Sequence, residues 1–166
     1  MTPHMAGALV LWGLVATTAM AAVLQLAQGL GLSRMSLTFM VGSAFSGRRD
    51  VATVLGFLLY ILGGWAFAFL YFAFLSSLGV ETWWMGTVLG FFHGAFLLAC
   101  AMPLLPFVHP RMASEFHGAT ALRQLEPPGF LATNYGYQTP AAALVAQMVY
   151  GGVLGACLQI QRVMGV

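Results

Sequence analysis

Histidine is the residue type in this sequence that offers the most chemistry, and His93 has the most unusual surroundings. It stands in the stretch GFFHGAF, residues 90–96, between glycine, alanine and phenylalanine residues. An imidazole can hold a proton, bind a metal or form hydrogen bonds. Because an ionisable group in a lipid-like environment is costly to desolvate, such a residue indicates a function or a specific polar partner.

Polar side chains on the other apolar segments fall at a depth similar to that of His93. At about 1.5 Å per residue, each lies roughly 10–16 Å from one end of its segment or near its centre. The candidates are His93, Tyr60, Gln147, Tyr150 and Thr17. Two interpretations stay open. In one, His93 only ties helices together by hydrogen bonds to Gln147, Tyr60 or Tyr150; in the other, the cluster binds a ligand or conducts a proton or solute.

Two cofactor interpretations have weaker support. A haem usually needs two axial ligands, and His93 could supply one, with Met20, Met102 or Met148 as the second. A separate metal site could use nitrogen and oxygen donors of one polar loop, which are His109, Glu115 and His117. Their spacing matches no closed metal motif, so we predict no resident cofactor, with haem or a metal as the less favoured alternatives.

Catalysis has little support in the sequence. The chain contains no GxSxG, HExxH or CxxC motif, no phosphate-binding Walker loop and no lysine. The four acidic residues all lie outside the apolar segments, where we expect the membrane surfaces, so no paired-carboxylate mechanism is suggested. We therefore expect a protein that is not an enzyme.

The composition places these residues in a membrane protein. Only 6% of the 166 residues are charged and 60% are hydrophobic, whereas a soluble domain has about 25% charged residues. Four segments reach the roughly 20 apolar residues that a membrane-spanning helix needs, at about 5–28, 51–80, 82–107 and 139–161. The predicted fold is all-α, a single domain forming an integral membrane bundle of four transmembrane helices.

The arginines predict the orientation of this bundle. The loops after the first and third helices contain five of the six, and the C-terminus contains the other. Positive residues concentrate on the cytoplasmic side, so we predict cytoplasmic arginine loops and both termini outside. The first loop is apolar enough to form a short interfacial helix or a half-buried loop. The loop between the third and fourth helices is predicted to be long and cytoplasmic.

Glycine spacing predicts where the helices touch. Lipid offers no hydrophobic drive for association, so helices in membranes pack through small residues that allow close backbone approach. Such residues recur every fourth position on the third and fourth helices, at Gly86, Gly90, Gly94, Gly151 and Gly155. His93 and Gln147 stand near these glycine faces, so we expect both side chains to point into the bundle.

Several motifs together resemble a known family. TWWMGTVLGFFHG, MPLLPFVHPRMASE, LEPPGFLATNYG and MVYGGVLGA, within residues 49–156, resemble a family of small four-helix bacterial inner-membrane proteins of unknown function. The resemblance implies the same fold and a bacterial inner-membrane location. It also implies that the position of Gln147 is often histidine in that family, in an H-x-x-Y-G pattern. A glutamine here argues against two facing histidines that hold a haem or metal.

These patterns predict two classes of function. The first is a non-catalytic accessory or assembly subunit of a larger membrane complex, with lipid, other membrane subunits or a second copy as partners and no nucleic acid. The alternative is a ligand-binding or conducting membrane protein, for a quinone, haem, metal or proton, with its site around His93.

Overall fold

The structure is a computed structural model that describes residues 3–114, 118–120, 122 and 125–164. The described part of the chain is helical, with no strand beyond a single bridge between Met112 and Leu125. Its elements are α1 (Pro3–Gly29), α2 (Leu37–Ser43), α3 (Arg49–Ser77), α4 (Trp83–Phe96), a π-helical segment (Leu97–Ala101), α5 (Met102–Val108), a 3₁₀ segment (Phe130–Tyr135) and α6 (Thr139–Met164).

Within the described residues, four helical stretches are long and apolar enough to cross a membrane. They are His4–Gly29, Arg49–Ser77, Trp83–Val108 and Thr139–Met164, of 26 to 29 residues each. At about 1.5 Å per residue each exceeds the roughly 30 Å of a hydrocarbon core. The predicted all-α class with four long apolar helices is confirmed.

The third of these stretches is not a regular helix throughout, although the sequence predicted a continuous one. After α4, the backbone N–H of Met102 donates to the carbonyl of Leu97, five residues back, which defines a π-helical turn. Pro103 follows directly. Proline has no N–H, and its ring crowds the carbonyl four residues earlier in an α-helix. A wider turn before Pro103 relieves that crowding, and α5 then continues to Val108.

The chain forms two compact units. The first comprises residues 1–25, 61–94 and 144–166. In it, α4 and α6 meet along glycines. A Cβ added to Gly86 would collide with the carbonyl of Gly151, and one added to Gly90 would collide with the carbonyl of Gln147. Gly155 approaches the carbonyl of Thr82 in the same way.

A second close contact in the first unit joins α1 to α3. A Cβ on Gly13 would lie 2.9 Å from the Cβ of Ala68. The indole Nε1 of Trp65 donates to the carbonyl of Val10 at 2.9 Å. Because small residues allow helix backbones to approach closely, Gly13 and Ala68 account for the close contact between α1 and α3.

The second unit comprises residues 26–60 and 95–143. The short helix α2 packs against the first turns of α3, where Gly42 meets the carbonyl of Ala52 and Gly56 meets the carbonyl of Thr38. Either Cβ would overlap the opposite backbone. The segment after α1 therefore contains a helix that is held to α3 by two glycines.

Polar contacts join the remaining segments of the second unit. The backbone N–H of Arg34 donates to the carbonyl of Tyr135 at 2.8 Å, and its Nη2 donates to the carbonyl of Asn134 at 2.7 Å. Arg34 Nη2 also lies 3.6 Å from a carboxylate oxygen of Glu126. The hydroxyl of Thr139 donates to Ser33 Oγ at 2.9 Å, and both residues are buried. These bonds hold the chain before α6 to the chain after α1.

Candidate functional site: a polar cluster around His93

His93 lies on α4 in the first unit, one residue before Gly94 and three after Gly90. Those two glycines face α6, so the imidazole stands beside the α4–α6 contact. Two aromatic rings of α3 cover it. The His93 ring centroid is 4.2 Å from that of Phe67 and 5.9 Å from that of Tyr71.

One nitrogen of the imidazole has a hydrogen-bond partner. The Nδ1 atom of His93 lies 3.1 Å from the hydroxyl oxygen of Tyr71. Two tautomers satisfy this geometry. Either Tyr71 donates to Nδ1 and Nε2 carries the proton, or Nδ1 carries the proton and donates to Tyr71. The bond joins α3 to α4 in both cases.

The other nitrogen has no partner in the part of the chain that the structure describes. Nε2 of His93 is buried and makes no hydrogen bond to any described residue. A buried polar atom without a partner costs about 1–3 kcal/mol. The imidazole therefore has one free hydrogen-bonding position, which is a donor in one tautomer and an acceptor in the other.

Tyr150 extends the cluster to α6. Its ring meets the ring of Tyr71 edge to face, with centroids 5.4 Å apart. Its hydroxyl donates to the carbonyl of Gly64 on α3 at 2.7 Å. Tyr150 is only 1% exposed, so a buried phenol on α6 reaches the α3 backbone through a hydrogen bond.

Gln147 lies one turn before Tyr150 on α6. Its Cβ and Cγ would be 3.1 and 3.2 Å from a Cβ placed on Gly94, so the glycine leaves room for the glutamine stem. Its Oε1 is buried and has no hydrogen-bond partner among the described residues. Gln147 Oε1 is therefore an unpartnered acceptor on the helix that packs against α4; Trp12 Nε1, Ser76 Oγ and Gln161 Oε1 are further buried polar atoms of the first unit without a partner among the described residues.

Thr17, in the same unit, packs between two helices. Its hydroxyl donates to the carbonyl of Gly13 on its own helix at 2.7 Å. The Thr17 side chain also fills the space beside Gly64, where a Cβ would collide with its Oγ1. Thr17 is thus a packing residue between α1 and α3 whose hydroxyl is already satisfied.

Tyr60, which the sequence grouped with His93, belongs to the second unit, and its buried hydroxyl has no partner among the described residues. The partner of His93 is Tyr71, which the sequence analysis did not select. Counting residues along α3 and α4 from the turn that joins them could have identified Tyr71. The turn between α3 and α4 lies near residue 80, and depth counted outward from that turn on both helices brings Tyr71 closer to His93 than Tyr60.

None of the suggested second ligands of a haem is recorded as a hydrogen-bond partner of His93 among the described residues. Met20 and Met148 belong to the first unit, and Met102 belongs to the second. The α6 backbone at Met148 lies beside Gly90. Among the described residues the polar partner of His93 is a tyrosine hydroxyl.

The loop metal site can be judged only at His109, since Glu115 and His117 lie outside the described residues. Both ring nitrogens of His109 are engaged in hydrogen bonds. Nδ1 accepts from the backbone N–H of Arg111 at 3.2 Å, which leaves the proton on Nε2, and Nε2 donates to the carbonyl of Met40 at 3.0 Å. In the part of the chain that was searched, no three metal-ligating side chains come together. His109 therefore ties α2 to the end of α5.

Comparison with protein-family models, curated proteins and solved structures finds no match to this chain.

Proposed function

We propose that the protein is a multi-pass membrane protein that binds a small ligand through the polar cluster around His93. The observation that supports this proposal is the hydrogen bonding of the two nitrogens of the His93 imidazole. Its Nδ1 is held by Tyr71 at 3.1 Å, while its buried Nε2 has no partner among the described residues. An ionisable side chain within a membrane-spanning helix is expensive, and a helix tie alone would not require a free second nitrogen.

The surroundings of His93 favour a particular ligand chemistry. Phe67 and Tyr71 supply aromatic surface at centroid distances of 4.2 and 5.9 Å, and Gln147 supplies a free acceptor in the same unit. Binding sites of this kind combine apolar walls with few polar groups. A small apolar molecule with a carbonyl or hydroxyl group fits this description, and a quinone or quinol head group has that chemistry.

The proposal extends to location and orientation. The resemblance to bacterial inner-membrane proteins supports the inner membrane of a bacterium. The arginine distribution supports cytoplasmic loops after the first and third spans and both termini outside. The orientation is tested by cysteine labelling with a membrane-impermeant maleimide in intact cells. Leu78→Cys, in the turn between α3 and α4, should react, and Ser46→Cys should not.

The ligand proposal is tested with the purified full-length protein in detergent. A short-chain quinone is titrated while tryptophan fluorescence is followed, and a solvent extract is analysed by mass spectrometry for co-purified quinone. Wild type should show saturable quenching, which His93→Leu should weaken about tenfold or more, the loss expected for one buried hydrogen bond. His4→Leu, an exposed histidine of α1, is the matched control. Quenching that does not saturate, or that is equal in His93→Leu and wild type, would overturn the proposal.

A second candidate function is that of an accessory subunit in a membrane complex, and the outer face of α6 favours it. Val145, Val149, Gly152 and Ala156 follow one another at spacings of four, three and four residues. A groove of about 380 Å³ runs along this face, lined by Thr87, Val145, Met148, Val149, Gly152 and Val153. Gly152 and Ala156 are the small residues of this face, and small residues four positions apart allow close approach of another helix.

Native mass spectrometry after mild detergent extraction tests this second candidate. A fixed partner subunit or second copy should be retained by wild type and lost from Ala156→Leu, which fills the α6 face. Ala66→Leu adds the same side chain at an exposed position of α3 and should retain the partner. A wild-type protein that is always monomeric would rule out the accessory role.

A further inference from the structure

We propose that the second unit has a binding site for a phosphate group, in a pocket beside Arg111. The pocket has a volume of about 150 Å³ and is lined in part by Phe39, Ser43, Ser46, Gly47, Arg111 and Leu125. A single buried water needs only about 10–15 Å³ of such space. The pocket is therefore large enough for a tetrahedral anion. It shares no residue with the His93 cluster, so this proposal does not depend on the proposed function.

The guanidinium group of Arg111 is held in place by the end of α2. Its Nη1 donates to the backbone carbonyls of Ser43 and Ala44, the latter at 3.0 Å. Arginine in this position satisfies the carbonyl groups that a helix leaves free at its C-terminus. The group is thus oriented before any ligand arrives.

The opposite edge of the same guanidinium is open. Its Nε and Nη2 atoms make no hydrogen bond to any described residue. Nε lies 3.4 Å from the position that a Cβ of Gly47 would occupy, so the missing side chain at Gly47 leaves this edge accessible. Two parallel N–H groups on one edge match two oxygens of a phosphate.

A hydroxyl group adds a third donor. Ser46 Oγ accepts a hydrogen bond from the backbone N–H of Arg48 at 3.2 Å, so its own proton is available to a ligand. The hydroxyl of Ser43 is different, because it donates to the carbonyl of Met40 at 2.8 Å. Among the described residues that line the pocket, Arg111 and Ser46 are therefore the side chains that can donate to an anion.

The charges of the second unit favour an anion. Among its described residues, Arg48 is paired with Asp50 at 2.7 Å and Arg34 lies 3.6 Å from Glu126. Arg49 and Arg111 have no carboxylate partner within the described residues. Arg49 instead lies over the ring of Phe39, 5.9 Å from its centroid. Within the described residues, Arg111 in the pocket and Arg49 over the ring of the lining residue Phe39 are thus two cations without a paired carboxylate.

Two sources could supply the phosphate. Phe39 and Leu125 give the pocket an apolar side, which suits the head group of an anionic phospholipid with its glycerol backbone. A soluble phosphate offers the same oxygens to Arg111 and Ser46. The shared chemistry is a phosphate oxyanion, and the experiment distinguishes the two sources.

The experiment uses the full chain in detergent with two probes. Phosphatidic acid is titrated by native mass spectrometry, and inorganic phosphate is titrated by calorimetry. Arg111→Gln removes the bidentate donor, while Gly47→Val fills the pocket and leaves net charge and Arg111 unchanged. Each should weaken binding about tenfold or more, the effect of losing charge-assisted hydrogen bonds. Arg162→Gln is the control for net charge, since Arg162 pairs with Glu81 in the first unit at 2.8 Å; it should bind as wild type does.

The results distinguish a phospholipid head group from a soluble phosphate, and both from the absence of a site. Binding of phosphatidic acid that both pocket variants weaken about tenfold or more identifies a lipid head-group site, and the same result for inorganic phosphate identifies a soluble-anion site. If neither probe binds wild type, or if Gly47→Val binds both as wild type does, the proposal is wrong. Circular dichroism of each variant checks folding. If Arg111→Gln unfolds because the C-terminus of α2 loses its cap, binding of the two probes by Gly47→Val is the test of the proposal.

Discussion

Gly86 on α4 and Gly151 on α6 face each other so closely that a methyl group on either would collide with the carbonyl of the other. Gly90 and Gly155 continue this contact on both sides. No side chain larger than hydrogen fits between the two backbones there. The distance between α4 and α6 therefore depends on glycine at these positions.

Gly86→Ala should destabilise the protein by about 1–3 kcal/mol, the usual cost of overpacking a close contact. Gly63→Ala is the matched control, because a Cβ at Gly63 meets no atom within 4 Å; it should be neutral or mildly stabilising, since alanine favours helix. Unfolding by sodium dodecyl sulfate, followed by circular dichroism, measures both. Equal unfolding curves for the two variants would contradict the α4–α6 contact.

Tyr71→Phe should destabilise the protein by about 0.6–1.7 kcal/mol, the range for interhelical hydrogen bonds in membranes. The reason is that His93 Nδ1 loses its partner at 3.1 Å. The change should also alter the ¹⁵N shifts of the His93 ring. Tyr60→Phe removes a hydroxyl that has no partner among the described residues, so it should cost nothing. The assignment of Tyr71 fails if Tyr60→Phe is the more damaging change.

His109→Leu should loosen α2. It removes the bonds to the carbonyl of Met40 and the N–H of Arg111, at 3.0 and 3.2 Å, and leaves both groups without this partner. Hydrogen exchange of residues 37–44 should accelerate severalfold, since local opening becomes easier. His4→Leu, at an exposed position, should leave exchange in this segment unchanged. Unaltered protection of α2 in His109→Leu would show that the imidazole does not hold it.

Ionisation of the Tyr135 phenol should lower the free energy of unfolding in alkaline solution. Burial first, and then the charge of Glu126, raise the pKa of Tyr135 to about 12, against a smaller opposite effect of Arg34. The unfolded value is about 10. The unfolded chain releases this proton at a lower pH than the folded protein does, so deprotonation favours unfolding. The contribution of protonated Tyr135 to the free energy of unfolding is therefore intact below pH 10 and is lost as pH rises toward 12.

Denaturation curves at several pH values test this prediction. Wild type should lose more stability than Tyr135→Phe between pH 10 and 12, because phenylalanine cannot ionise. Tyr137→Phe alters a neighbouring but largely exposed tyrosine, 84% accessible, and should behave as wild type does. Parallel pH profiles for wild type and Tyr135→Phe would remove Tyr135 as the cause.

Depth along a helix was a poor guide to the partner of His93. The count placed Tyr60 and His93 at similar distances from a membrane surface, but each distance was measured from a different surface. α3 has 29 residues and is about 43 Å long, so two residues counted from opposite sides need not meet. Counting both helices outward from the turn that they share would have favoured Tyr71 over Tyr60, and the structure then shows the hydrogen bond itself.

Local deviations also escaped the sequence analysis. The π-helical segment before Pro103 and the left-handed backbone of Leu131 and Ala132, with φ of 55° and 59°, have no signature in hydropathy. Ala132 is fully buried, so the surrounding second unit imposes that conformation. Such geometry costs about 1–3 kcal/mol per residue when it is not glycine. Only the packing around a residue can maintain it.

The sequence by itself determined that the described chain is helical with four long apolar stretches. Mean hydropathy and the length of an apolar segment depend only on consecutive residues, so neither requires knowledge of tertiary contacts. The tertiary structure decided which polar atoms pair: His93 with Tyr71, and Tyr150 with the carbonyl of Gly64, while His93 Nε2 has no partner within the described part of the chain. That choice depends on how far each helix is rotated and shifted against the next. Those shifts are set by contacts of a few ångströms at glycines such as Gly86 and Gly151, which no local pattern encodes.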